Sequence, residues 1–117
     1  MKKAYYLSSC STCNRILKEV KDYHFQLQDI KLDTITEEQI DQIYQFTDSY
    51  EALFNKKSRK YKSMGLKDQS LKEEDFKNLI LEEYTFLKRP VFLVDHEIFV
   101  GTSKMTIDAL KKCLENE

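Results

Sequence analysis

The sequence predicts an α/β fold: a four-stranded mixed sheet with helices on its faces. Three observations lead there. A short β-type run, "AYYL" (4–7), passes directly into a helical pattern and then into a second strand-like run. Near the other end an unbroken apolar run, "VFLV" (91–94), is followed after "DHE" by "IFVG" (98–101), as in a hairpin. Between these pairs lies a stretch with helical spacing throughout. A chain of 117 residues, 41% hydrophobic and 33% charged, suits one domain, residues 1–117, with a helical insert at about 34–86. That length buries a core without cross-links.

Taken in order, the elements have local causes. From Ser11 the apolar residues Cys13, Ile16, Leu17 and Val20 recur at three- and four-residue spacing, which is one helical face. "HFQLQDIKL" (24–32) alternates Phe25 and Leu27, then Ile30 and Leu32 after a phase slip, and is expected to be a strand. Thr36 and Gln39 form a capping box, and Ile35 with Ile40 a hydrophobic staple, ahead of a stripe of Ile40, Ile43 and Tyr44. "YEALF" (50–54) is expected to be a turn or short helix. Ser70 with Glu73 is expected to form a second capping box, before Phe76, Leu79 and Ile80. "VFLV" is apolar at every position, as a central strand buried on both faces is. Ser103 caps a final helix carrying Ile107, Leu110 and Leu114. Strands joined through a helix should be parallel, and the last two antiparallel. The order β-α-β, helical insert, β-β-α is the thioredoxin-like arrangement, with Cys-x-x-Cys at the end of the first strand.

Composition excludes several function classes. The net charge of -1 provides no global field toward nucleic acid or an anionic membrane, and no aromatic–basic reader motif appears. No apolar run approaches spanning length, and "MKKAYYLSSC" is too short and polar for a secretory signal. The expectation is a cytoplasmic protein with no membrane partner and no direct nucleic-acid binding. Three cysteines argue against a structural disulfide framework.

Cys10 and Cys13, in "SSCSTCNR" (8–15), are the chemical centre of the sequence. Cys10 falls at the mouth of the first helix, where unpaired N–H groups and the helix dipole favour a thiolate. Cys13 lies on the apolar face and points inward. One exposed sulfur and one shielded sulfur a turn away is the layout of thiol–disulfide exchange. Ser9, Ser11 and Thr12 can donate to the sulfur or to a bound oxyanion. Two other readings stay open: half of a zinc site, with Cys113, His24, His96 or carboxylates to complete it, and two inert buried thiols. No paired metal-ligand spacing is present, so no metal is expected. Cys113 and both histidines read as packing or surface residues.

"LKRPVFLV" is the second informative stretch. Pro90 precedes a strand expected to be central, where proline is normally excluded, and a cis peptide at that point reconciles the two. In a thioredoxin-like fold that turn sits beside the reactive cysteine and carries Arg89 toward Cys10. The other reading is a surface Lys88–Arg89 pair before an edge strand.

The sequence resembles the arsenate reductase (ArsC)/Spx family of thioredoxin-like proteins over nearly its whole length. The resemblance rests on "YYLSSCSTCNRILKEV", "YEALFNKKSRKYKSMGL", "LKRPVFLVD" and "VGTSKMTIDAL". It implies that Cys10 is the nucleophile and that Arg89 stands next to a structural cis-proline, Pro90. It further implies an arsenate-reductase-like thiol oxidoreductase with no bound cofactor. The substrate is a small oxyanion or a disulfide, and the external reductant is glutathione with glutaredoxin, or thioredoxin. Cys13 is then the resolving thiol. Tyr6 stands where the reductases place a histidine, and Asn14 where they place an arginine, with Arg15 one residue on. The insert arginine falls near Asn55, with Lys57 and Arg59 close in sequence, and the arginine after the last strand falls at Gly101. Ser11, Thr12, Arg15, Lys57 and Arg59 are thus the candidate substrate-binding residues. The alternatives are a Spx-type redox-sensing regulator that binds RNA polymerase, and a general disulfide reductase. "NKKSRKYK", with five Lys or Arg in eight residues, is a protein-binding surface, an anion collector or a solvated face.

Overall fold

The chain begins in a strand, β1 (Lys2–Tyr6), whose Ala4 and Tyr5 are buried. It turns into α1 (Ser11–Glu19), passes through a single 3-10 turn at Lys21–Tyr23, and returns as β2 (Gln26–Asp29). β1 and β2 are parallel, with Ala4 opposite Leu27 and Tyr6 opposite Asp29. β3 (Val91–Val94) and β4 (Glu97–Val100) form an antiparallel hairpin, and β3 also pairs antiparallel with β1. The computed structural model describes residues 1–116, and among them the sheet has four strands in the order β2-β1-β3-β4. The helices of the remaining chain are α2 (Glu37–Thr47), α3 (Arg59–Ser63), α4 (Glu73–Glu82) and α5 (Lys104–Glu115). The chain divides into two units, one made of residues 1–33 and the chain from 89 onward, the other of residues 34–88.

The first unit contains the sheet, α1 and α5. All four residues of "VFLV" are buried, as a central strand requires. Alternation along β3 places Phe92 and Val94 on one face, where they meet Ala4 of β1, Ile16 of α1, Val20 just after it, and Ile107, Leu110 and Leu114 of α5. Phe25 closes this core edge-on against Phe92, with ring centroids 5.1 Å apart. The final helix starts as expected, the Ser103 Oγ accepting the Thr106 N–H at 3.2 Å.

The second unit is helical. The Thr36 Oγ1 accepts the Gln39 N–H and the Gln39 Oε1 accepts the Thr36 N–H, both at 3.1 Å, which is the expected capping box. Ile35 and Ile40 are buried beside it. Phe54 is the aromatic hub, stacked on Phe86 at 4.9 Å and edge-on to Phe76 at 5.0 Å. "YEALF" contains a single 3-10 turn, Glu51–Leu53.

Two sequence expectations are corrected. The second strand covers four residues rather than 24–32, because His24 takes a left-handed backbone (φ 59) and the chain turns after Asp29. β2 is an edge strand, so its apolar alternation does not mark the buried face. Leu27 is 52% exposed and Leu32 82%, whereas Gln28 is buried, its amide donating to the Asp33 carbonyl at 3.0 Å. The second capping box is not at Ser70. Helix α4 begins at Glu73, and the Asp75 carboxylate accepts the Lys72 N–H at 2.8 Å. Glu73 instead accepts the N–H groups of Tyr50, at 2.7 Å, and Glu51, at 3.2 Å.

Phe92→Ala removes the ring at the centre of the first unit's core. It should cost roughly 3–5 kcal/mol, read from the urea midpoint. A cost below about 1 kcal/mol would place the core elsewhere.

Candidate active site

Cys10 owes its position to the turn that ends β1. The Cys10 N–H donates to the Leu7 carbonyl at 2.9 Å, and Cys10 takes an extended backbone (φ -92, ψ 110) as the N-cap of α1. Its Sγ accepts the Cys13 N–H at 3.4 Å, replacing the oxygen that usually caps a helix. No acidic residue lies in the first turn of α1, so the positive end of the helix dipole is left to the sulfur.

The two sulfurs are driven apart in acidity. Burial works against the Cys10 thiolate, but the N–H groups of Cys13 and Thr12, the Cys13 thiol and the Arg89 guanidinium outweigh it, and the Cys10 pKa is lowered. Cys13 is fully buried. Burial first, then its hydrogen bond to the Cys10 sulfur, pushes the Cys13 thiol up to about 12.

Arg89 is half-buried, precedes Pro90 through a cis peptide bond, and acts electrostatically on both sulfurs. The Gly101 N–H donates to the Pro90 carbonyl at 3.0 Å, tying the β4–α5 loop to the same corner. Ser11 and Thr12 are the first two helical residues beside Cys10. Arg15 pairs with Glu19 one turn further along, at 3.4 Å. Glu19 is also bound by Lys111 of α5. Lys57 and Arg59 are exposed residues of the second unit. The structure therefore gathers Cys10, Cys13, Ser11, Thr12 and Arg89 around one helix terminus.

Sequence reasoning did not assign a role to two residues here. The Asn14 Nδ2 donates to the Ser8 carbonyl at 2.8 Å, and Asp29 ends β2 opposite Tyr6, one carboxylate oxygen accepting the Lys31 N–H at 3.1 Å. Both are polar residues that look ordinary in the sequence, and only strand register brings Asp29 to this corner.

Cys113 lies apart from the pair, its thiol donating to the Glu97 carboxylate at 2.7 Å. Among the described residues no group of three His, Cys, Asp or Glu side chains is placed to hold a metal ion. Nor is any helix among them long and apolar enough to cross a membrane. A groove of about 320 Å³ lined by Leu17, Val20, His24 and Leu27 opens near the other end of α1, away from Cys10.

A mixed β2-β1-β3-β4 sheet with Cys-x-x-Cys at the first helix N-terminus and a cis-proline before the central strand defines a thioredoxin-like protein. The ArsC family model matches residues 5–110, and the chain belongs to the ArsC family. Comparison with curated proteins finds no match. Solved structures share the fold. A Yersinia pestis protein provisionally identified as an arsenate reductase is 16% identical, with TM-score 0.79, over 95% of this chain and 99% of that one. An arsenate reductase from Vibrio cholerae is 18% identical, with TM-score 0.73, over 94% and 95%. A Staphylococcus aureus COL protein is 25% identical, with TM-score 0.74, over 93% and 97%.

At neutral pH, brief iodoacetamide treatment should label Cys10 far faster than Cys13, because only the thiolate reacts. The Cys10 rate should rise with pH to a plateau reached well before Cys13 ionises. Mass mapping across pH checks this, and preferential labelling of Cys13 would contradict the site. Arg89→Met removes a positive charge that favours the thiolate, so the midpoint of the Cys10 profile should move to higher pH.

Proposed function

We propose that the chain is an arsenate-reductase-like thiol oxidoreductase in which Cys10 is the nucleophile and Cys13 the resolving thiol. The observation that carries this reading is the Cys10 Sγ seated on the Cys13 N–H at the α1 N-terminus. Family membership and the arsenate reductases among the structural neighbours support it.

With a disulfide substrate, the Cys10 thiolate attacks one sulfur and the other leaves as a thiolate. Cys13 then gives up its proton and attacks the Cys10 sulfur, releasing the second substrate thiol. Two electrons have passed from the cysteine pair to the substrate, and a Cys10–Cys13 disulfide remains. With arsenate, the thiolate displaces an oxygen ligand as water. A second thiol then attacks the Cys10 sulfur, and the As–S electron pair stays on arsenic as arsenite. Arg89, the Ser11 and Thr12 hydroxyls and the helix terminus are the groups that hold the anion. An external thiol reductant restores the pair: thioredoxin for the internal disulfide, glutathione with glutaredoxin for a mixed one. Such chemistry belongs to a reducing compartment, which fits the cytoplasm.

A second reading, a redox-sensing regulator that binds RNA polymerase, is favoured by the basic stretch in which Lys57, Arg59 and Lys62 are exposed. There the same cysteine pair is a switch rather than a catalyst.

Turnover with arsenate and with a small disulfide, under each reductant, separates the readings. Cys10→Ser should abolish both reactions. Cys13→Ser should lose the thioredoxin-supported reaction and keep the glutathione-supported one. Absence of turnover in the parent chain with every combination, together with capture of RNA polymerase only by one redox form, would replace the enzyme by the regulator.

A further inference from the structure

The core of the first unit opens to solvent at the far end of α1. Val20, which caps that helix, belongs to the core, and Leu17 and Phe25 pack against it while only half-buried. With Leu27 of the edge strand they line a groove of about 320 Å³, and its other walls are Lys21 and His24. The floor is therefore the apolar core itself, and the polar groups stand at the rim.

The backbone brings the two polar groups to one place. The chain leaves α1 through the single 3-10 turn at Lys21–Tyr23, which the His24 N–H closes on the Lys21 carbonyl at 3.2 Å. His24 itself takes a left-handed backbone, φ 59, which glycine adopts with less strain. Lys21 and His24 are both exposed, and neither makes an ion pair among the described residues. Asp22, between them in sequence, does not line the groove.

We propose that this groove binds a small aliphatic carboxylate, its chain on Leu17, Val20, Phe25 and Leu27 and its head on Lys21 and His24. The head is anionic because Lys21 supplies a fixed positive charge and the His24 ring an N–H donor. The body is apolar because only apolar atoms gain by covering a floor made of core side chains. At about 30 Å³ for each water-sized group, the groove takes on the order of ten non-hydrogen atoms. That is the size of octanoate, and it is too small for a helix of a partner protein. The groove lies away from Cys10, and its occupation does not depend on the chemistry of the cysteine pair.

The test is amide chemical-shift mapping of the full chain during titration with octanoate below its micellar range. The shifts should saturate and centre on residues 17–27. Octanol, which has the chain without the charge, should bind about tenfold more weakly. Acetate, which has the charge without the chain, should give no saturable shift. Lys21→Glu, an exposed change that leaves the core intact, should weaken octanoate about tenfold, with a larger effect at low salt. Leu27→Asp, also at an exposed position, should abolish saturable binding. His24→Gly relieves the backbone and removes the donor, so urea stability should hold or rise while octanoate binds less tightly. Equal binding of octanol and octanoate, shifts scattered over the surface without saturation, or unchanged binding in Leu27→Asp would overturn the proposal. So would a spectrum that octanoate leaves unmoved. Shifts at residues 17–27 that follow protein concentration without octanoate would overturn it too, because the occupant would then be a second copy of the chain.

Discussion

The hydrogen bond from the Cys13 N–H to the Cys10 sulfur exists because the chain makes three commitments in eight residues. β1 must end at Tyr6, the turn must close on Leu7, and α1 must start at Ser11. Each is underwritten by packing. Ala4 anchors the strand in the core, and Ile16 and Val20 anchor the helix to the same face. Lys111 of α5 binds Glu19 at the far end of α1, so that helix is held at its solvent face as well as its buried one. The sulfur's environment is therefore a property of the whole first unit.

The chemical consequence is a division of labour between like groups. The same helix turn that presents N–H groups to Cys10 carries Cys13 into the core, where its charged form is disfavoured. The proposed exchange needs one ionised sulfur to attack and one shielded sulfur beside it, and one turn of helix supplies both conditions. Cys113 shows the contrast: its thiol donates to the Glu97 carboxylate from the last turns of α5, away from any helix N-terminus.

Much of this was legible in the sequence where local chemistry decides structure. The Thr36–Gln39 box and the Ser103 cap are short-range hydrogen bonds, and both formed as read. "VFLV" announced a central strand because no solvent face needed a polar residue. Placing Cys10 at the helix mouth and Cys13 inward required only helical spacing. The reading failed where tertiary context decides. Leu27 and Gln28 exchanged their expected exposures because β2 is an edge, and an apolar pattern there does not report burial. Ser70 lost its cap because Glu73 was drawn to the Tyr50 and Glu51 N–H groups, more than twenty residues away in sequence. Asp29 was invisible for the same reason: it stands opposite Tyr6 through parallel register between strands, which no short motif encodes.

The central claim is that the Cys10 sulfur ionises below the ordinary cysteine range while the Cys13 sulfur is held above it. Thiolate absorbance at 240 nm, titrated in the reduced parent chain and in Cys10→Ser, measures it directly. The difference between the two curves should show a single thiolate step assigned to Cys10, below the range of an ordinary cysteine at about 8.5. A difference curve with no step below that range would contradict the account, because the helix terminus would then be doing nothing for the sulfur it caps.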